Sequence, residues 1–225
     1  QMVDCWNENM KNVFDCSWIA CLDESMMAWL QKWTCPGWIC VGRKPHPFGN
    51  EWHTICCGCS NILFRMEIVE GKDRPFKLGP KKWEEDGSTI GLLLRMTEHI
   101  RYAGRVIILD SGFCVLLGLI ALLNVGIYAS AVVKKRRYWP AFVDGDEIKN
   151  HMAGKDIGSV DCRHGTLNGK EFCLFAMKEN KYSMILMSTY GALVEVAGSI
   201  AKCAWKRDRD IEPGNDEYVK KNYVH

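Results

Sequence analysis

Apolar residues fall along this chain in short runs, and two of these end in an acid. Ser17-Trp-Ile-Ala-Cys-Leu-Asp23-Glu24 and Arg105-Val-Ile-Ile-Leu-Asp110 have the length and the β-branched or aromatic content of buried strands. Each carboxylate therefore sits where a core meets solvent. Trp52 to Gly58 and Ile62 to Val69 read as a hairpin turning at Cys59-Ser-Asn61. Ser88 is the candidate N-cap of a helix in which Ile90, Leu93, Leu94 and Ile100 share one face. A fourth strand, Arg105 to Leu109, follows.

Phe113 to Val133 is apolar over about the length that spans a bilayer, and it runs straight into Lys134-Lys-Arg-Arg137, the pattern of a membrane anchor. Asn124-Val-Gly126 divides it into a helix-length piece, Phe113 to Leu123, and a β-rich piece, Ile127 to Val133. A crossover helix between two parallel strands accounts for that pattern, so no membrane partner is expected. Beyond Tyr138 the character changes. Arg163 to Gly169 reads as turn material, and Glu171 to Met177 and Tyr182 to Ser188 read as strands joined at Glu179-Asn-Lys181. Lys202 to His225 is charged, carries Pro213-Gly214 and reads as a solvated connection.

Three antiparallel strands, then helix, strand, helix, strand, is the order of a ribonuclease H-like α/β domain with a mixed sheet. The expected organisation is such a core over residues 1–137, a small β-rich module over 138–190 and a charged connection over 191–225. In that order the first and fourth strands are neighbours, which brings Asp23 and Asp110 together, roughly 4 to 8 Å apart without metal. Two carboxylates so close repel unless a divalent cation such as Mg²⁺ lies between them.

Composition changes this picture little. The chain has 225 residues, 48% of them hydrophobic and 25% charged, enough to bury a core and inconsistent with disorder. Its formal charge of +2 does not mark a nucleic-acid binder, so that function would rest on local clusters such as Lys134 to Arg137. Among its 12 cysteines, Cys35-x4-Cys40 and Cys56-x2-Cys59 have the look of zinc knuckles. Cys56 and Cys57, however, are adjacent in a strand and point to opposite faces, so zinc is not expected and the thiols read as free, in a reducing compartment. The chain opens on Gln1 without a signal peptide and closes on Val224-His225, which reads as a segment of a longer, intracellular reading frame.

Five pieces in order resemble the transposase domain of piggyBac-type DNA transposons and their domesticated derivatives, within the DDE/D superfamily. They are Leu22-Asp-Glu-Ser-Met26; Arg43-Lys-Pro45 with Gly49; Ile107-Ile-Leu-Asp110; Gly126-Ile-Tyr-Ala with Val132-Val-Lys-Lys-Arg-Arg137; and Met184-Ile-Leu-Met-Ser-Thr189. The resemblance covers roughly Ser17 to Thr189. It implies a ribonuclease H-like core interrupted by a β-rich insertion, cut-and-paste DNA transposition in the nucleus, a two-metal Mg²⁺ site with Asp23 and Asp110 as its first two acids, and a homodimer. No small-molecule cofactor is implied. Arg43, Lys44, Lys134, Lys135, Arg136 and Arg137 are the candidates for phosphate contacts.

Two departures accompany the resemblance. Asp110 is followed by Ser-Gly-Phe113 where the family has Asn and an aromatic-rich helix start. The family's third aspartate has no match: Asp208, Asp210 and Asp216 lie in hydrophilic, loop-like surroundings and remain unassigned, so the chain is expected to stop short of that motif and to cut little DNA alone. Glu24 points away from Asp23 as the next strand residue. His46, His53 and His164 read as surface or packing residues. A DNA-binding protein that keeps the fold without the chemistry, and a membrane-anchored protein, are the alternatives.

Overall fold

The computed structural model describes residues 2–35, 37–69, 81–134, 139–140 and 143–190. Its strands are β1 (Ile19–Ala28), β2 (Trp38–Cys40), β3 (Phe48–Cys57), β4 (Leu63–Ile68), β5 (Val106–Leu109), β6 (Tyr128–Val132), β7 (Val160–Leu167), β8 (Lys170–Lys178) and β9 (Ser183–Ser188). Four α-helices accompany them among the described residues: α1 (Met2–Val13), α2 (Ser88–Met96), α3 (Leu116–Asn124) and α4 (Gly145–Ala153).

All nine strands join one mixed sheet in the order β2-β3-β1-β5-β6-β9-β8-β7, with β4 also on β3. β2 and β4 share one edge of β3, β2 opposite residues 48–50 and β4 opposite residues 52–56. β1 joins the antiparallel and parallel parts, because Leu22 pairs with Ile55 on one side and with Leu109 on the other. β5 and β6 run parallel across α3, and β9 returns antiparallel to β6, so the strands after residue 138 extend the same sheet. Ser130 and Ser188 share a hydroxyl hydrogen bond of 2.6 Å at that junction.

Strand alternation decides what is buried. Ala20, Leu22, Ile55, Ile107, Leu109, Ala129 and Ala131 point to one face, and they form one core cluster with Leu93 and Met96 of α2 and Leu119 and Leu122 of α3. The apolar stretch from Phe113 is divided as its pattern predicts. α3 ends at Asn124, and Gly126 takes φ 72° while its N–H reaches the Leu123 carbonyl at 3.0 Å, a left-handed helix end that favours glycine. Both halves are largely buried within the sheet-and-helix layers. Among the described residues no helix is long and apolar enough to cross a membrane. Gly49 is required for a different reason: a Cβ there would lie 1.9 Å from the Met27 carbonyl oxygen.

The structure corrects several sequence expectations. β1 does not stop at Asp23 but continues to Ala28, because β3 runs beside it until Ala28 meets Gly49. Arg163 to Gly169 is not a turn: β7 occupies Val160–Leu167, and the turn narrows to Asn168 and Gly169, both at positive φ. Ser88 does not cap α2. Gly87 holds the cap position without a side-chain bond, and the helix ends at Met96, a short 3₁₀ turn carrying Ile100 into the core. Helices α1 and α4 and strand β2 had no counterpart in the sequence reading. Lys135, Arg136, Arg137, Asp208, Asp210, Asp216 and the charged connection lie outside the described residues.

Candidate active site

The register that buries Leu22 turns the next residue outward. Asp23 shares a face with Cys21, and both are exposed. Asp110 follows β5 directly, and since Leu22 pairs with Leu109 in the parallel ladder, Asp23 and Asp110 occupy the next step of the same register. Adjacent strands lie about 4.8 Å apart, so the two residues stand side by side at one end of the parallel pair. Cys21 responds to both. Burial raises its thiol pKa first, and the charges of Asp23, Cys56 and Asp110 raise it further.

The two carboxylates have different partners. Asp23 Oδ1 accepts the Glu24 backbone N–H at 2.7 Å, and Thr54 donates to the Asp23 carbonyl at 3.3 Å. Asp110 precedes a short 3₁₀ turn, where Ser111 Oγ approaches its Oδ2 at 3.5 Å and Lys134 Nζ its Oδ1 at 3.3 Å. Burial pushes the Asp110 carboxyl up, but the Ser111 N–H and the Lys134 ammonium outweigh it and hold the group below its ordinary value. Lys134 is itself 62% exposed, so this pairing is open to water and readily exchanged.

Glu24 points to the opposite face and is largely buried, its side chain only 9% exposed. Arg43 Nη2 contacts its carboxylate, Lys44 Nζ lies 3.6 Å from it, and Lys44 also donates to the Glu24 carbonyl at 3.2 Å. Thus two of the cations assigned to phosphate are held by one buried acid. A Cβ on Gly112 would stand 3.6 Å from Glu24 Oε2, so Glu24 also underlies the turn after Asp110. His53, beside it on β3, packs edge-on against Phe113 at 5.5 Å, and burial lowers its pKa. Its 3.7 Å approach to Glu51 is therefore not an ion pair at neutral pH.

Sequence reading brought Asp23 and Asp110 to one place; Lys134, which it offered as a phosphate contact, the structure sets on Asp110, and two further neighbours had not been singled out. Cys21 was legible from alternation alone, two residues before Asp23 on the same face. Glu24 as the anchor of Arg43 and Lys44 had no local signal, since the partners are 19 and 20 positions away. The donor set at Asp23 and Asp110 is oxygen only, which fits a hard divalent cation, and Lys134 already places one positive charge on it. Among the described residues no group of three or more His, Cys, Asp or Glu side chains is disposed to hold a metal, the cysteine spacings included.

Comparison with known proteins agrees with this architecture. The fold is similar to that of a piggyBac transposase in a synaptic complex with hairpin DNA, determined by cryo-electron microscopy, with a TM-score of 0.64 and 14% identity. The match covers 83% of this chain and 36% of the transposase, so the chain spans about a third of the length of that protein. No curated protein matches. The family model described as Transposase IS4 matches residues 1–220, nearly the whole chain, and the chain belongs to that transposase family.

Proposed function

We propose that this chain is the N-terminal part of a ribonuclease H-like catalytic core of a piggyBac-type, cut-and-paste DNA transposase, acting in the nucleus on DNA and carrying the first two metal-binding acids. The observation that carries the reading is that Asp23 and Asp110 each directly follow the last residues, Leu22 and Leu109, that pair between adjacent parallel strands. The strand order β4-β3-β1-β5-β6, with a helix before β5 and another before β6, is the arrangement such a core needs to bring two acids together.

Asp23 and Asp110 would hold the divalent cation, Mg²⁺. Bound there, such a cation supplies the Lewis acidity that activates water or a DNA 3′-hydroxyl and stabilises the leaving oxygen of a phosphodiester. The protein's own groups do the rest. Asp110 is kept ionised by Ser111 and Lys134, and Lys134 can turn from that carboxylate to an incoming phosphate. Glu24 fixes Arg43 and Lys44 against the strand that carries Asp23, leaving the exposed guanidinium edge to meet a second phosphate. The third acid comes from outside residues 2–190, and Asp208, Asp210 and Asp216 are not assigned to it.

The test compares DNA cleavage by this chain and by a longer chain from the same reading frame, with Mg²⁺ or Mn²⁺. Little or no cleavage by the 225-residue chain and metal-dependent cleavage by the longer one, abolished by Asp23→Ala or Asp110→Ala, is the expected result. Cleavage unaffected by either substitution overturns the assignment. A longer chain that binds DNA but never cuts it makes this a DNA-binding derivative that has kept the fold without the chemistry.

A further inference from the structure

Between the end of β1 and the start of β3 the chain exposes aromatic rings that a soluble surface ordinarily hides. Trp33 is 90% exposed, Trp29 45% and Phe48 42%. The rings around Trp33 are held in place. Trp29 Nε1 donates to Thr34 Oγ1 at 2.8 Å, Trp38 Nε1 donates to the Trp29 carbonyl at 2.9 Å, and Trp38 stacks on Phe48 with centroids 5.8 Å apart and planes 13° from parallel. Fixed, exposed indoles lose little side-chain freedom when a planar partner lies on them.

Their electrostatic setting selects the partner. Lys32 lies over two of these rings, 5.3 Å from the centroid of Trp33 and 5.9 Å from that of Trp38. From Trp29 to Phe48 the sequence holds Lys32, Arg43, Lys44 and His46 and no Asp or Glu at all. Arg43 and Lys44 are held by Glu24, which leaves Lys32, set on the rings themselves, as the cation of the patch. Aromatic faces with a cation beside them match a strand whose bases are unpaired, the rings taking the bases and the lysine a phosphate. A paired duplex buries its base faces and offers nothing for Trp33 to stack on.

We infer that Trp29, Trp33 and Phe48, with Lys32, form a stacking platform for unpaired nucleotides of the DNA substrate. The inference rests on the transposase reading and adds what that reading lacks, a site for the single-stranded segment. Trp29 follows the end of β1, six positions after Asp23 and about 20 Å away at strand rise, so the platform receives nucleotides a few positions from the carboxylates.

The experiment titrates the 225-residue chain with a single-stranded oligonucleotide carrying 2-aminopurine and with a duplex of equal length, following the base fluorescence and the tryptophan emission. Wild type quenches both signals on the single strand, Trp33→Ala weakens that binding by about tenfold, and duplex affinity stays the same. Lys32→Ala weakens it less and lowers its salt dependence. Because Trp33 is almost wholly exposed, its removal leaves the fold intact, which the circular dichroism melt verifies. Single-strand affinity unchanged in Trp33→Ala, with duplex binding intact, overturns the platform alone. Failure to bind either nucleic acid overturns the platform and the transposase reading together.

Discussion

Glu67 on β4 and Asp110 after β5 are both partly buried acids with lysine neighbours, yet they are built for opposite purposes. Glu67 is saturated: Arg95 grips it through two nitrogens at 2.8 and 2.9 Å, and Lys81 adds a third contact at 2.7 Å. Burial pushes its carboxyl up, but Arg95 and Lys81 prevail and hold it below its ordinary value. Asp110 has one exposed lysine at 3.3 Å, a weak hydroxyl contact and a second acid at its side in the register. A closed charge network ties α2 to the sheet. An open one, in which the described contacts of Asp110 are an exposed lysine and a weak hydroxyl, leaves carboxylate oxygens that a cation could take.

The largest effect that would break this contrast lies in the closed network. Glu67→Ala strands Arg95 and Lys81, so urea denaturation should show a loss of about 3 kcal/mol, the low end for a broken buried pair because the side chain retains some exposure. A loss below about 0.5 kcal/mol, the ordinary surface value, would make Glu67 no different from an exposed acid.

Acid should attack the same half of the molecule next. The Glu67 stabilisation is complete above the ordinary carboxylate value of 4.5 and is lost as pH falls through the lower folded value. His99 acts in the same direction from higher pH: burial, then Arg65, lower its pKa from 6.5 to about 4, so the unfolded chain takes up a proton that the native one refuses. Denaturation midpoints should therefore decline between pH 6.5 and about 4, and His99→Gln should flatten that decline. A midpoint independent of pH across this window would show that His99 is protonated in the fold.

The open site should behave in the reverse way. Asp23→Asn should leave stability within about 0.5 kcal/mol of wild type, and Asp110→Asn should cost no more than about that, since it gives up only the contacts with Ser111 and an exposed Lys134 that favour its carboxylate. Smallest of all is Lys134→Ala. The exposed Lys134–Asp110 pair is worth about 0.5 kcal/mol, so the melt should barely move, and the difference should vanish in high salt.

The same contrast separates what was legible in the sequence from what was not. Asp23 and Asp110 stood out because each ends an apolar run whose burial fixes the register, and strand order then placed the runs side by side. Gly126 announced the break in the apolar stretch because left-handed backbone favours glycine. β7 was hidden because it is the sheet's outer edge, where Asp161, Arg163, His164 and Gly165 satisfy no clear apolar alternation. α1 fully buries none of its 12 residues, and the face it lays on β4, Val3, Asn7 and Met10, has a polar residue at its centre, so it makes no apolar stripe in the sequence. α4 has a local signal, Asp144 accepting the N–H groups of Asp146 and Glu147 at 3.0 and 3.2 Å, a cap that the sequence spells. The grip of Glu24 on Arg43 and Lys44 belongs to tertiary packing, and nothing in their local sequence expresses it.

The proposed cation site requires Asp23 and Asp110 to act together. Titrating the chain with Mn²⁺ and reading the free ion by electron paramagnetic resonance measures this without any catalytic turnover. Wild type should bind weakly, as two carboxylates do, and either Asp23→Asn or Asp110→Asn should weaken that binding by about tenfold or more, because ligand charge and number both fall. Lys134→Ala should strengthen it. Equal Mn²⁺ affinity in wild type and both asparagine variants would contradict the shared site and leave the two acids as unrelated surface residues.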